Sequence, residues 1–159
     1  MPLQAAVWAA GLFNWALVDQ ADANAWRRLL QVNLVAAAAV TAGLAPALLA
    51  AAPGSSLVYL GSGAARRAFS HNAAYVASKH GLAGLADAVD LDLRARGVKV
   101  SLVSPGLVAA GAGMAAPAAQ SQPDRLLTPA DVAHAVRFVL TFPGSGCPHE
   151  VTIQPALVG

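Results

Sequence analysis

The sequence predicts an α/β fold: a parallel sheet of about four strands with flanking helices. Three observations predict it. Four short apolar runs, bounded by Gly, Pro or Ser, have the length of strands in a sheet. Between them lie longer apolar stretches with helix-start and helix-stop residues at their ends. The two kinds alternate along the chain, so successive strands are joined by helical crossovers and run parallel.

The first strand is Ala5 to Ala10, ended by Gly11. Asp22 can cap a first helix through Trp26, Leu29 and Leu30 towards Ala50, which Pro46 is expected to bend or end. Ser56 to Leu60 (Ser-Leu-Val-Tyr-Leu) is the second strand, closed by Gly61. Asn72 can cap a second long helix, about Ala73 to Ala95, with Gly97 placed to end it. Val98 to Val103 is the third strand, followed by Pro105-Gly106. Leu107 to Leu127 is rich in Ala, Gly, Ser and Pro and reads as a mobile loop or a short helix. Thr128-Pro129-Ala130-Asp131 has a capping Thr, Pro at the first helical position and an acid three residues on. The helix it starts runs to about Leu140, and Glu150 to Gln154 is the last strand. No repeat or linker divides the chain, so residues 1–159 read as one domain.

Composition narrows the function classes. With 57% hydrophobic and 11% charged residues, the chain is not a disordered tail. Ten Lys and Arg against eight Asp and Glu give a net charge of +2 without a basic cluster, which argues against a nucleic-acid partner. Cys147 is the single cysteine, so no internal disulfide forms, and a reducing, cytoplasmic setting is expected. Leu29 to Ala65 carries no charge and is long enough to span a bilayer. Its bulk is alanine, and Pro53-Gly54-Ser55-Ser56 reads as a turn, so a buried helix followed by a buried strand is the preferred reading, with no membrane. Met1 to Trp15 lacks the basic start of a signal peptide.

Four residues point to chemistry. Tyr75 and Lys79, in Tyr-Val-Ala-Ser-Lys, are four apart and share one helix face. An ammonium beside a phenol favours the phenolate and lowers its pKa. A tyrosine tuned in this way exchanges a proton with an alcohol or carbonyl near neutral pH. Ser62 lies thirteen residues before Tyr75, just past a strand end, where its hydroxyl can bond the same substrate oxygen. Asn33 stands inside the first long helix, where an amide is locally unfavourable, and is a candidate functional or kink-associated group.

With these motifs in order, the chain resembles the short-chain dehydrogenase/reductase family. The matching features are Asn33 in Val-Asn-Leu, Ser62 in Gly-Ser-Gly, Tyr75-x-x-x-Lys79, and Pro105-Gly106 after the next strand. The resemblance implies a Rossmann-type doubly wound fold and an NAD(P)-dependent oxidoreductase. Hydride would pass between the nicotinamide cofactor, NAD or NADP, and a carbonyl or alcohol substrate. It implies Tyr75 as general acid/base, and Lys79 as the group that lowers the Tyr75 pKa and holds the nicotinamide ribose. Ser62 would orient the substrate oxygen, and Asn33 would position a water. Gly11, Asn33, Tyr75, Lys79, Pro105, Gly106 and Leu107 would make up the cofactor side. A homo-oligomer through the long helices is also implied.

The chain departs from the family pattern. The Gly-rich turn that seats the cofactor diphosphate is not found, and the chain is read as starting near the family's fourth strand. The family's Asn-Asn-Ala-Gly aligns with Trp8-Ala9-Ala10-Gly11, so both amides are replaced. The Thr usual after Pro-Gly is replaced near Ala109-Ala110. The partial fold should leave its first strand as an exposed edge. Right-handed crossovers should gather the helices mainly on one face, leaving the other partly bare. A second reading follows: a truncated, catalytically incompetent remnant or an interaction subunit of the same fold.

Other residues have plainer readings. His71, His80, His134 and His149 lack metal-ligand spacing and read as surface or packing groups, so no metal is expected. Trp15 and Trp26 read as packing, Arg66-Arg67 as a solvated pair unless a phosphate sits nearby, and Cys147 as an inert thiol. Phe69, His71 and the Leu107 to Leu127 segment either line a substrate pocket or form a plain loop.

Overall fold

A computed structural model describes residues 2–121 and 125–156. Four strands, β1 (Ala5–Trp8), β2 (Ser56–Leu60), β3 (Lys99–Pro105) and β4 (Glu150–Ile153), pair in parallel in chain order. Val7 lies opposite Val58, Val58 opposite Ser101, and Val103 opposite Val151. The helices are α1 (Ala23–Leu30), α2 (Ala36–Ala50), α3 (Ala73–Leu93), α4 (Pro117–Ser121) and α5 (Pro129–Leu140). A π-helical turn, Gln31–Val35, makes α1 and α2 continuous.

Alternation along the strands builds two cores. Leu57 and Tyr59 of β2, with Val100 and Leu102 of β3, pack under Ala37 and Leu48 of α2 and Leu82, Ala83 and Ala86 of α3. Val58 and Val103 face the opposite way and pack against Ala135 and Val139 of α5. Each fully buried Leu or Val contributes about 1.5–3 kcal/mol over exposure. Buried Tyr59 keeps a polar partner, its hydroxyl lying 2.7 Å from Thr41 Oγ1.

The three steps across the sheet run in one direction, yet α5 lies on the face opposite α2 and α3. The β3–α5–β4 connection therefore has the opposite hand to the two before it. The expectation of helices gathered mainly on one face is corrected accordingly. Both faces over β2 and β3 are covered, while edge strand β1 leaves Val7 43% exposed.

Local signals decide most boundaries. Asp22 accepts from the Asn24 amide at 2.9 Å and starts α1. Thr128 and Asp131 bond each other's backbone amides in a complete capping box at the start of α5. Gly97, at φ 86°, ends the turn after α3. Residues 107–121 hold a 3-10 turn, Gly111–Ala115, and α4.

Three expectations are corrected. Pro46 does not end its helix, which continues to Ala50; the carbonyl deprived of a partner is that of Ala42, on an exposed face where water can bond it. Asn72 occupies the N-cap of α3 without capping it, and its Nδ2 donates to the Ser70 carbonyl at 2.9 Å. The first long helix is buried along a single stripe, Leu29, Asn33, Ala37, Thr41 and Leu48, with Val35 and Val40 exposed. Ala23–Ala50 is long and apolar enough to cross a membrane, and 22% of its most apolar window is buried in the fold.

Candidate active site

The carboxyl ends of β1, β2 and β3 open into one cleft of about 1390 Å³. A parallel sheet offers its site at these ends, because the loops leaving the strands diverge there. Leu60-Gly61-Ser62 leave β2, Pro105-Gly106-Leu107 leave β3, and Gly11-Leu12-Phe13 follow β1, all lining the cleft. The first turns of α3 add Tyr75 and Lys79.

The Tyr75 phenol and the Ser62 hydroxyl line the same wall of the cleft. Burial pushes the Tyr75 phenol above its usual pKa, and the nearby Ser62 hydroxyl pulls it partly back. Phe13 meets the Tyr75 ring edge-on, at 5.0 Å between centroids. Ser62 also accepts from the Ala64 amide at 3.1 Å, which fixes the turn that presents it.

Lys79 is buried, and its ammonium donates to the Leu60 carbonyl at 2.8 Å. Nζ lies 5.7 Å from the centre of the Tyr75 ring. Desolvation lowers the Lys79 pKa to about 8. The sequence expectation that Lys79 lowers the Tyr75 pKa is thus corrected: burial dominates both groups, raising the phenol and lowering the amine.

Asn33 is fully buried at the centre of the π turn and does not line the cleft. Its Oδ1 accepts from the Leu12 amide at 2.7 Å, and its Nδ2 donates to the Leu12 carbonyl at 2.9 Å and to Ser78 Oγ at 3.0 Å. A π turn suits a helix whose side chain is committed to groups outside it. The amide therefore holds the loop after β1 against α3. Gly11 fits into this corner: a Cβ there would lie 3.6 Å from Asn33 Oδ1 and 3.9 Å from Lys79 Nζ.

Of the eight residues singled out from sequence, the structure places Gly11, Ser62, Tyr75, Lys79, Pro105, Gly106 and Leu107 on the cleft wall, with Asn33 behind it. Ala110 also lines the cleft, near where the family carries Thr. Phe69 is a lining residue. Trp15 is one too and stacks flat on His71, with ring centroids 5.1 Å apart, so plain packing understates both. Sequence reasoning passed over Phe13, Gln154, and Val136 and Leu140 of α5. Phe13 follows Gly11 directly at a strand end, which was a readable signal. The α5 wall was not, because it depends on the hand of the last crossover. Arg66 is not half of a solvated pair: it forks onto Glu150 at 3.1 and 3.0 Å and reaches Asp87 at 3.5 Å. Among the described residues, no group of three His, Cys, Asp or Glu side chains could hold a metal.

The comparisons with known proteins bear on this arrangement. The chain is 34% identical over 99 residues to a trans-4-hydroxycyclohexanecarboxylate dehydrogenase of Sinomonas cyclohexanicum, covering 62% of this chain and 38% of that protein. It is 30% identical over 145 residues to a 2-(S)-hydroxypropyl-CoM dehydrogenase of Xanthobacter autotrophicus, covering 83% of this chain and 56% of the relative. The chain thus spans between about a third and somewhat over half of these relatives. A solved 4-hydroxyisoleucine dehydrogenase complexed with NADH and succinate superposes with a TM-score of 0.80 at 21% identity, over 98% of this chain and 68% of that one, and so shares the Rossmann-like fold. Residues 2–122 match the family model described as short chain dehydrogenase, and the chain belongs to that family.

Proposed function

We propose that this chain is the catalytic portion, one incomplete domain, of an NAD(P)-dependent oxidoreductase acting on a carbonyl or alcohol. The observation that carries this reading is the meeting of Ser62, Tyr75 and Lys79 on one wall of the cleft. The names of the relatives support it: the three compared are dehydrogenases, and one was solved with NADH.

The residues present fit the nicotinamide-ribose end of the cofactor. The buried Lys79 ammonium has one protein acceptor, Leu60, and two further N–H groups for ribose hydroxyls. Gly11 leaves the approach to Nζ open, and Pro105-Gly106-Leu107 form the wall at the end of β3. When bound, the nicotinamide supplies or accepts the hydride.

The side chains do the rest. Ser62 donates to the reacting oxygen and holds it beside the Tyr75 hydroxyl. In reduction, Tyr75 gives its proton to that oxygen; in oxidation, it takes the proton back. Its raised pKa keeps the phenol protonated at neutral pH, which favours the reducing direction. Oxidation, which needs the phenolate, should gain from alkaline pH. Asn33 acts as a positioning residue through Leu12.

The test is NADH and NADPH binding to the purified chain, with turnover of an aldehyde and ketone panel by wild type and Tyr75→Phe. Saturable cofactor binding with turnover lost in Tyr75→Phe supports the reading. Turnover untouched by the substitution overturns it. We also propose that the exposed face of the first long helix, with Val35 and Val40, packs on a second copy. A strictly monomeric mass by light scattering would count against that contact.

A further inference from the structure

We propose that Arg67 recognises a carboxylate on the substrate, so that the preferred substrates are hydroxy acids or the matching oxo acids. The proposal rests on the oxidoreductase reading and extends it to the substrate class.

Three observations support it. The cleft has a one-sided charge: Arg67, Lys79 and Arg137 line it, and among the described lining residues there is no Asp or Glu. An anion entering such a cleft meets attraction with no opposing carboxylate. Adjacent arginines also have opposite fates. Arg66 is taken up by Glu150 and Asp87, whereas Arg67 has no carboxylate partner among the described residues.

Arg67 also has an aromatic neighbour. Its guanidinium lies 5.9 Å from the centre of the Phe69 ring, a cation–π contact that leaves its side-chain N–H groups without an acceptor among the described residues. Its Nη2 comes within 4.0 Å of where a Gly63 Cβ would stand, next door to Ser62. The guanidinium therefore lies beside the residue that follows Ser62, on the wall of the same cleft. A carboxylate a short carbon chain from that oxygen can accept two parallel N–H bonds from Arg67. Lys79 stands on α3, with its remaining N–H groups given to the cofactor ribose in the reading above, which leaves Arg67 as the anion-reading group on this loop.

The experiment is ligand-detected NMR titration of the full chain with 3-hydroxybutyrate and with its uncharged methyl ester, in wild type, Arg67→Ala and Arg67→Lys. NADH and NADPH titrations run beside it. The Arg67 side chain is exposed, so both variants should fold, as a thermal melt would verify. Wild type should bind the acid about tenfold more tightly than the ester, Arg67→Ala should bind both equally, and Arg67→Lys should fall between. NADH affinity should be the same in all three. Equal binding of acid and ester by wild type overturns the proposal, as does an acid preference that survives in Arg67→Ala. A selective loss of NADPH affinity in Arg67→Ala, with the acid preference intact, also overturns it, because Arg67 would then serve a cofactor phosphate. An Arg67-dependent acid preference together with turnover untouched by Tyr75→Phe would sustain the carboxylate site and sink the oxidoreductase reading.

Discussion

Asn33 holds Leu12 by both of its backbone groups, accepting from its amide at 2.7 Å and donating to its carbonyl at 2.9 Å. The side chain thus pairs with a loop residue much as a neighbouring strand would. It lies 21 positions away in sequence and is fully buried. Asn33→Ala leaves both Leu12 groups without this partner, and Ser78 Oγ with the Tyr75 carbonyl alone. About 1–3 kcal/mol of stability should be lost. Asn33→Asp keeps the acceptor and loses the donor, and sets a carboxylate against the Leu12 carbonyl, so it should not rescue. Urea unfolding measures the loss, and hydrogen exchange at the Leu12 amide should speed up in both variants. An unchanged exchange rate would show that the loop is held by other contacts.

What the sequence showed was mostly local. Ser56 to Leu60 was legible as a strand because its run of apolar residues is closed by Gly61. Thr128 and Asp131 announced their helix because a capping box is complete within four residues. Tyr75, Lys79 and Ser62 were legible as a motif, but the state of the motif was not. The phenol and ammonium shifts come from burial under distant segments, and no spacing rule reports burial. Pro46 misled for a related reason: whether a proline ends a helix depends on which side the missing bond falls, and that follows from packing. Likewise, Arg66 finds Glu150 across 84 positions, and α5 crosses to the far face of the sheet.

Gly61 is a packing requirement beside the site. A Cβ there would stand 2.6 Å from Ser104 Oγ and 3.0 Å from Leu102 Cδ1, and Leu102 is fully buried with little room to yield. Gly61→Ala should cost about 1–3 kcal/mol from overpacking. Because Ser62 is the next residue, the strain should also shift its hydroxyl away from Tyr75. A drop in melting temperature read by circular dichroism, larger than for Gly84→Ala, where a Cβ meets nothing within 4 Å, is the expected result. Equal melting of the two variants would refute it.

The capping box of α5 offers a smaller effect. Thr128 Oγ1 accepts from the Asp131 amide at 3.2 Å, and Asp131 Oδ2 accepts from the Thr128 amide at 2.7 Å. The Thr128 amide, and the Thr128 hydroxyl donating at 2.8 Å, hold the Asp131 carboxyl below its ordinary pKa. Thr128→Ala should lose about 1 kcal/mol, and Thr128→Ser should lose little of it. Chemical denaturation of both variants checks the order, and equal stability of Ala and Ser at this position would show that the cap is idle.

Lys79 should leave a signature in the pH dependence of stability. Its pKa is about 8 in the fold against 10.5 for the ordinary side chain, and the cause is desolvation. Below pH 8 the amine is charged in both states, so the fold bears the cost of burying the ammonium. Between pH 8 and 10.5 the unfolded chain binds more protons than the fold, and stability must rise with pH. At about 1.4 kcal/mol per pKa unit, the relief is on the order of 3 kcal/mol across the full window. Tyr59 and Tyr75 act oppositely. Their phenols are raised above 10.0, so their contribution is lost as pH climbs past that value. The clean window is therefore pH 8 to about 9.5. Across it, the unfolding free energy of wild type should rise relative to Lys79→Met, which carries no titrating amine. Parallel curves for the two proteins would mean that the ammonium is not desolvated, and that Lys79 meets water at the cleft wall.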